Sequence, residues 1–173
     1  TSLLKLISGL QKPSAGTCTV DGIDSFNRWP ETLQKIYFIS EDFAIPEGTP
    51  INNVHSIGVF YPNYNESLFL ELCKEMEVDP QRKFGEMSFG QQKKCLIATA
   101  LSLNTDYLLL DEPTNGLDSA SVELFRNIIA EEKARGTTIL LSTHNKEDVL
   151  DLCDKVYFMK DGKCRECSPE EWK

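Results

Sequence analysis

The chain has 173 residues, enough for one domain, and at 40% hydrophobic residues it can build a sizeable core. A net charge of −9 excludes recognition of nucleic acid through a broad basic face, so no nucleic-acid partner is expected. No apolar stretch reaches the roughly 18 residues of a membrane span, and six scattered cysteines fit reduced, mostly buried thiols rather than a disulfide framework.

The chain opens on TSLLKLISGL, where Leu3, Leu6, Ile7 and Leu10 follow the i, i+3, i+4, i+7 spacing of one helix face. PSAGTCTVDG then predicts a turn, a short strand and a second turn, and KIYFIS (35–40) a strand. The segment from about 50 to 103 reads as mainly helical. Within it Asn65 is placed to cap a helix with Leu68, Phe69, Leu72, Cys73 and Met76 on one side. YLLL (107–110) and TTILLS (137–142) read as strands buried on both faces, as in a parallel sheet. SASVELFRNIIAEEKARG between them predicts a helix stopped by Gly136, and KVYFM (155–159) predicts a further strand. The alternation implies an α/β layered sheet with a helical insertion.

Four segments carry candidate chemistry. The apolar run YLLL ends in Asp111 and Glu112, and ligands of open α/β sheets bind beyond the carboxyl ends of strands. There one carboxylate can hold Mg²⁺ and a second can activate a water; alternatively both only solvate a loop. TTILLS leads to His144 at the same sheet edge, either a structural histidine or one that contacts a phosphate. Ser88 and Gln91 in MSFGQQ have capping-box spacing around Gly90; a helix N-terminus of this kind is also an anion site. Thr1 and Ser2 stand at a helix start, where the hydroxyl of a G-x-x-x-x-G-K-[ST] loop meets Mg²⁺. The spacing Cys164-x-x-Cys167 stands alone, without a second pair or nearby histidines, and is weak support for metal or redox chemistry.

Taken in this order, the segments resemble the nucleotide-binding domain of ATP-binding cassette (ABC) proteins over nearly the whole chain. YLLLDEPTNGLD is similar to the family's Walker B segment and D-loop, MSFGQQ to its LSGGQ signature and STH to its switch histidine. The resemblance implies a RecA-like P-loop NTPase core with a mostly parallel sheet. It also implies one cassette over 1–173, with a helical signature subdomain at about 50–103.

Carried over, the resemblance implies that Thr1 and Asp111 ligate Mg²⁺, Glu112 polarises the attacking water and His144 contacts the γ-phosphate of ATP. Ser2 belongs with Thr1 at the nucleotide. Ser88, Gly90 and Gln91 would touch the nucleotide of a second cassette in a head-to-tail dimer, with Asp118 at that interface. The expected partners are this second nucleotide-binding domain, in a homo- or heterodimer, and a transmembrane permease subunit. The expected place is the cytoplasmic face of the membrane, held there by the permease. Thr1 matches the last position of a phosphate-binding loop whose lysine and glycines are not among these residues, so an incomplete N-terminus and an inactive isolated polypeptide are expected.

Two positions depart from the family pattern: Phe89 stands where a glycine is usual, and Glu41 where a glutamine that touches Mg²⁺ and the attacking water is usual, a place from which the resemblance implies that the Glu41 carboxylate still reaches the metal and joins the catalytic group. Other readings within the family are a DNA-repair or ribosome-associated ATPase and an inactive partner in an asymmetric pair. The first sits poorly with the absence of sustained heptads between Glu41 and Ser88 and with a single signature.

Overall fold

A computed structural model describes residues 1–168. The helix α1 (Ser2–Ile7) is followed by a two-residue pair, β1 (Thr19–Val20) antiparallel to β2 (Ile23–Asp24). A short helix α2 (Pro30–Leu33) leads into β3 (Ile36–Ile39). Three helices come next: α3 (Pro50–Gly58), α4 (Glu66–Glu75) and α5 (Phe89–Ser102). Then β4 (Tyr107–Asp111), α6 (Ser119–Ala134), β5 (Thr138–Ser142) and α7 (Lys146–Leu152) alternate, and a hairpin of β6 (Val156–Lys160) and β7 (Lys163–Cys167) ends the described chain. Residues 169–173 of the expected 1–173 domain lie outside the described residues.

The sheet that positions the site has the order β3-β4-β5, all parallel, with Ile36 opposite Tyr107 and Asp111 opposite Ser142. In a parallel sheet every strand delivers its carboxyl end to the same edge. Residues 40–43, 111–118 and 142–145 therefore emerge side by side.

β4 is the central strand, and Leu108, Leu109 and Leu110 are all buried. β5 corrects the expectation of burial on both faces: Thr138 is exposed, and Ile139, Leu140, Leu141 and Ser142 are half-buried. Among the described residues β5 pairs only with β4, so one edge lacks the cover that an interior strand receives. The β6–β7 hairpin likewise pairs only with itself, leaving Tyr157, Phe158 and Met159 exposed.

The helix α1 forms where predicted, but its buried residue is Leu4, packed with Val20, Ile36 and Leu109. Leu3 and Leu10 are exposed, which corrects the expected face. The helix has only six residues and ends on Gly9 at φ 68°, so Leu10 lies beyond the helical register. A Cβ on Gly9 would stand 2.2 Å from the carbonyl oxygen of Ser25. That close approach lets the Ser25 hydroxyl reach Leu6 O at 2.7 Å and seats the 25–28 turn against the helix end.

The helical stretch forms as read. The side chain of Asn65 accepts the Leu68 N–H at 3.1 Å, and Phe69, Leu72, Cys73 and Met76 are buried while Leu68 is partly so. The larger core cluster runs from these residues through α5 to Leu108, Leu110, Phe125 and Ile129. Burial of each such side chain contributes about 1.5–3 kcal/mol.

Candidate functional site

Buried β4 carries Asp111 at its last position. The carboxylate is 1% exposed and accepts hydroxyl hydrogen bonds from Thr1 Oγ1 at 2.7 Å and from Ser142 Oγ. Burial pushes the Asp111 carboxyl up, but these donors outweigh it and hold it below its ordinary value.

Glu112 follows with a left-handed backbone, φ 47°, uncommon for a non-glycine residue, and is itself buried. Its N–H donates to Ser142 O at 2.9 Å, which ties the end of β4 to the end of β5. The turn aims Glu112 Oε1 at His144 Nδ1, 3.0 Å away. Burial raises the Glu112 carboxyl above its usual value; His144 opposes this, while Glu41 and Asp111 add to it. His144 itself stands 82% exposed, facing outward from the sheet edge.

Thr1, Asp111, Glu112 and His144 thus meet at one rim of the sheet. Glu41 joins them through Asn115, whose Nδ2 donates to Glu41 Oε1 at 2.8 Å. Ser2 is exposed in the first turn of α1.

The expected trans-acting residues lie on neighbouring elements. Ser88 and Gln91 close a full capping box on α5: Gln91 N–H donates to Ser88 Oγ at 3.3 Å and Ser88 N–H to Gln91 Oε1 at 3.0 Å. Both side chains therefore serve the helix end in this state. Gly90 approaches the 111–118 loop, since a Cβ on it would lie 3.2 Å from Gly116 O. Asp118 caps α6, accepting from Ser121 N at 2.9 Å and Ser121 Oγ at 2.7 Å, and keeps most of its surface exposed.

Phe89 is neither buried nor idle. Its ring stacks on Phe43 with centroids 5.2 Å apart, and its edge covers Gly116, where a Cβ would fall 2.7 Å from Phe89 Cε1.

Several supporting residues went unread in the sequence. Asp148 on α7 is fully buried and accepts from Thr114 Oγ1 at 2.7 Å, from Thr143 Oγ1 at 3.4 Å, and from Arg126 Nε and Nη2 at 3.0 and 2.7 Å. It thereby joins both strand-end loops to α6. The cue was Asn145, which caps α7 and so fixes where Asp148 points. Lys93, one of an ordinary-looking pair of lysines, is fully buried, and its ammonium donates to Glu112 O at 2.6 Å and Asn115 O at 2.8 Å. Ser142 stood inside the STH segment, but nothing in that segment pointed to its hydrogen bond with Asp111.

The donor set tests the fit of a divalent cation. Thr1 Oγ1 and the Asp111 carboxylate are hard oxygen donors already within 2.7 Å of each other, and Glu41 brings another carboxylate to the same edge. Among the described residues no three His, Cys, Asp or Glu side chains close into a metal cage. An ion held here would keep water or phosphate oxygens, which suits Mg²⁺.

Comparison with known proteins bears on the family and the fold. The ABC transporter family matches residues 1–115. The chain is 36% identical over 169 residues to the ABC transporter ATP-binding protein NatA of Bacillus subtilis, covering 94% of this chain and 69% of that one. It is 29% identical to the uncharacterized ABC transporter ATP-binding protein YybJ of the same organism, covering 94% and 76%. Among solved structures, the ATP-binding cassette MJ0796 in a dimeric post-hydrolysis state bound to ADP and Pi superposes with a TM-score of 0.82 at 26% identity, covering 97% of this chain and 79% of that one. CbiO1 of Clostridium perfringens, part of the cbiONQ transporter complex, superposes at 0.74 with 27% identity, covering 98% and 72%. With a parallel sheet that delivers Asp111, Glu112 and His144 to one edge, the chain belongs to the ATP-binding subunits of ABC transporters.

Proposed function

We propose that this sheet edge is the Mg²⁺–ATP hydrolysis site of a transport cassette, with Glu112 as the residue that orients and polarises the attacking water. The carrying observation is the 3.0 Å approach of His144 to Glu112 beside the 2.7 Å pair of Thr1 and Asp111. Bound Mg²⁺ would supply charge neutralisation at the phosphates; Thr1, Asp111 and Glu41 are the residues to hold it. Glu112, raised above its ordinary value by burial, is the better proton acceptor of the two strand-end carboxylates, since Asp111 is held low. His144 is free on its outer side to donate to a terminal phosphate while its Nδ1 keeps Glu112 in place. Catalysis of this kind rests on positioning and electrostatic stabilisation.

Ser2 is assigned to the same nucleotide as Thr1. Ser88, Gly90, Gln91 and Asp118 are assigned to the face that meets a second cassette, and we read 50–103 as the helical subdomain that carries them. The dimeric state of MJ0796 and the membership of CbiO1 in a transporter complex support a second cassette and a permease as partners. No helix among the described residues is long and apolar enough to cross a membrane, so attachment to the inner membrane face is assigned to the permease.

No G-x-x-x-x-G-K is present among the 173 residues, and three carboxylates crowd the rim. The polypeptide as it stands is therefore expected to bind ATP weakly and turn over almost none. The test is phosphate release from Mg²⁺–ATP after a strand and a G-x-x-x-x-G-K loop are joined ahead of Thr1. Glu112→Gln should then lower kcat by about 100-fold or more. Turnover that survives Glu112→Gln refutes the assignment.

A further inference from the structure

Among the described residues Lys93 is the one lysine whose side chain is buried completely. A buried ammonium is costly unless its donors are matched. Here they meet two backbone carbonyls, Glu112 O and Asn115 O, at the two ends of one turn. Glu112 O also accepts the Asn115 N–H at 3.2 Å, so the ammonium reinforces the turn's own closing bond. That turn holds Glu112 in a left-handed conformation, φ 47°, which is unfavourable for a residue with a Cβ. It also places Asn115 to donate to Glu41. The lysine stem rises from the first half of α5, three residues past Gly90, and its ammonium lies 5.9 Å from the Phe89 ring centre.

We propose that Lys93 is a positioning residue that clamps the 112–115 turn, setting the direction of the Glu112 carboxylate and of Asn115, and linking that turn rigidly to the N-terminal end of α5. Burial lowers the Lys93 ammonium, and the nearby carboxylates of Glu41, Glu112 and Asp111 pull it back up, so the site's acidic groups and the clamp support one another. Its significance for hydrolysis rests on Glu112 acting as proposed above; the clamp itself does not. The consequence is mechanical. A change at the turn is passed to the start of the helix that carries Ser88, Gly90 and Gln91, and the reverse.

The test is residue-resolved amide exchange by NMR on the 173-residue chain, comparing the parent with Lys93→Met, Lys93→Arg and the neighbouring Lys94→Met. Lys93→Met should speed exchange at 112 and 114–116 by about ten-fold or more while α4 and the middle of β4 stay within about two-fold. It should also move the Asn115 side-chain amide signals toward free-amide positions. Lys93→Arg should restore most of both, and Lys94→Met should change neither. Unchanged exchange at the turn, or uniform acceleration along the chain, overturns the proposal. If Lys93→Met does not fold, Lys93→Arg decides: its residual effect must concentrate at 112–116, and an even spread refutes the clamp. Failure of the Glu112 assignment reads out separately, as turnover that survives Glu112→Gln.

Discussion

Replacing Asp148 by alanine tests whether the two strand-end loops are held by one buried carboxylate. Asp148 is fully buried and takes hydrogen bonds from Arg126 through two nitrogens, from Thr114 and from Thr143. Removing one partner of a buried ion pair costs about 3–5 kcal/mol. Arg126 keeps Glu147 at 3.2 Å and Asp151 at 3.3 Å, both well exposed, so the lower end applies, about 3 kcal/mol. With a urea slope of about 2 kcal/mol per M, the unfolding midpoint should fall by about 1.5 M. Asp148→Asn keeps the shape and one acceptor and should lose roughly half as much. The assay is urea unfolding followed by far-UV circular dichroism at neutral pH. A midpoint for Asp148→Ala within about 0.3 M of the parent would refute the argument, because a buried hub with four donors cannot be that cheap to delete.

Glu112→Gln should raise stability at neutral pH. A carboxyl raised in the folded state holds its proton more tightly there, so its cost is fully present at neutral pH and vanishes below the ordinary glutamate value of 4.5. The urea midpoint of the variant should exceed the parent's at about pH 7.5 and converge on it near about pH 4; an equal gap at both refutes the assignment. Asp118→Ala should show the opposite trend. Hydrogen bonds from Ser121 hold the Asp118 carboxyl low, so its capping contribution is complete above the ordinary aspartate value and is lost as pH falls through the lowered one. The variant's midpoint deficit should therefore be largest at neutral pH and shrink in acid. Gly9→Ala should cost about 2–4 kcal/mol, from a left-handed backbone and a Cβ driven into Ser25 O, and thermal unfolding would show it.

The strand–helix alternation was legible because β4 and α4 to α6 follow the periods that burial imposes. The rim was legible only in part: a buried apolar run ending in Asp111-Glu112 puts both carboxylates at a sheet edge but equally suits a solvated loop, and it was the order of the other segments that favoured a site. What escaped reading has a common physical cause. The face of α1 was misjudged because the helix stops after six residues, at a glycine whose role depends on Ser25, far away in sequence. The partial exposure of β5 is invisible in its composition, which reports what a strand is made of, not which neighbours cover it. Lys93, Asp148 and Arg126 are charged residues on helices and Ser142 ends an apolar run, and only tertiary placement turns them into anchors. The same limit held for Phe89, whose partners Phe43 and Gly116 lie 46 residues before it and 27 after it.

The contact of Phe89 with Gly116 ties the identities of two positions together. An aromatic ring at one leaves no volume for a side chain at the other, so substitution at 116 is closed while the ring is there. A relative with glycine at 89 would release that space, and an asparagine or aspartate, which tolerates the left-handed backbone at 116, could enter. The constraint runs one way: a bulky ring at 89 demands glycine at 116, whereas a small residue at 89 leaves 116 open to either choice.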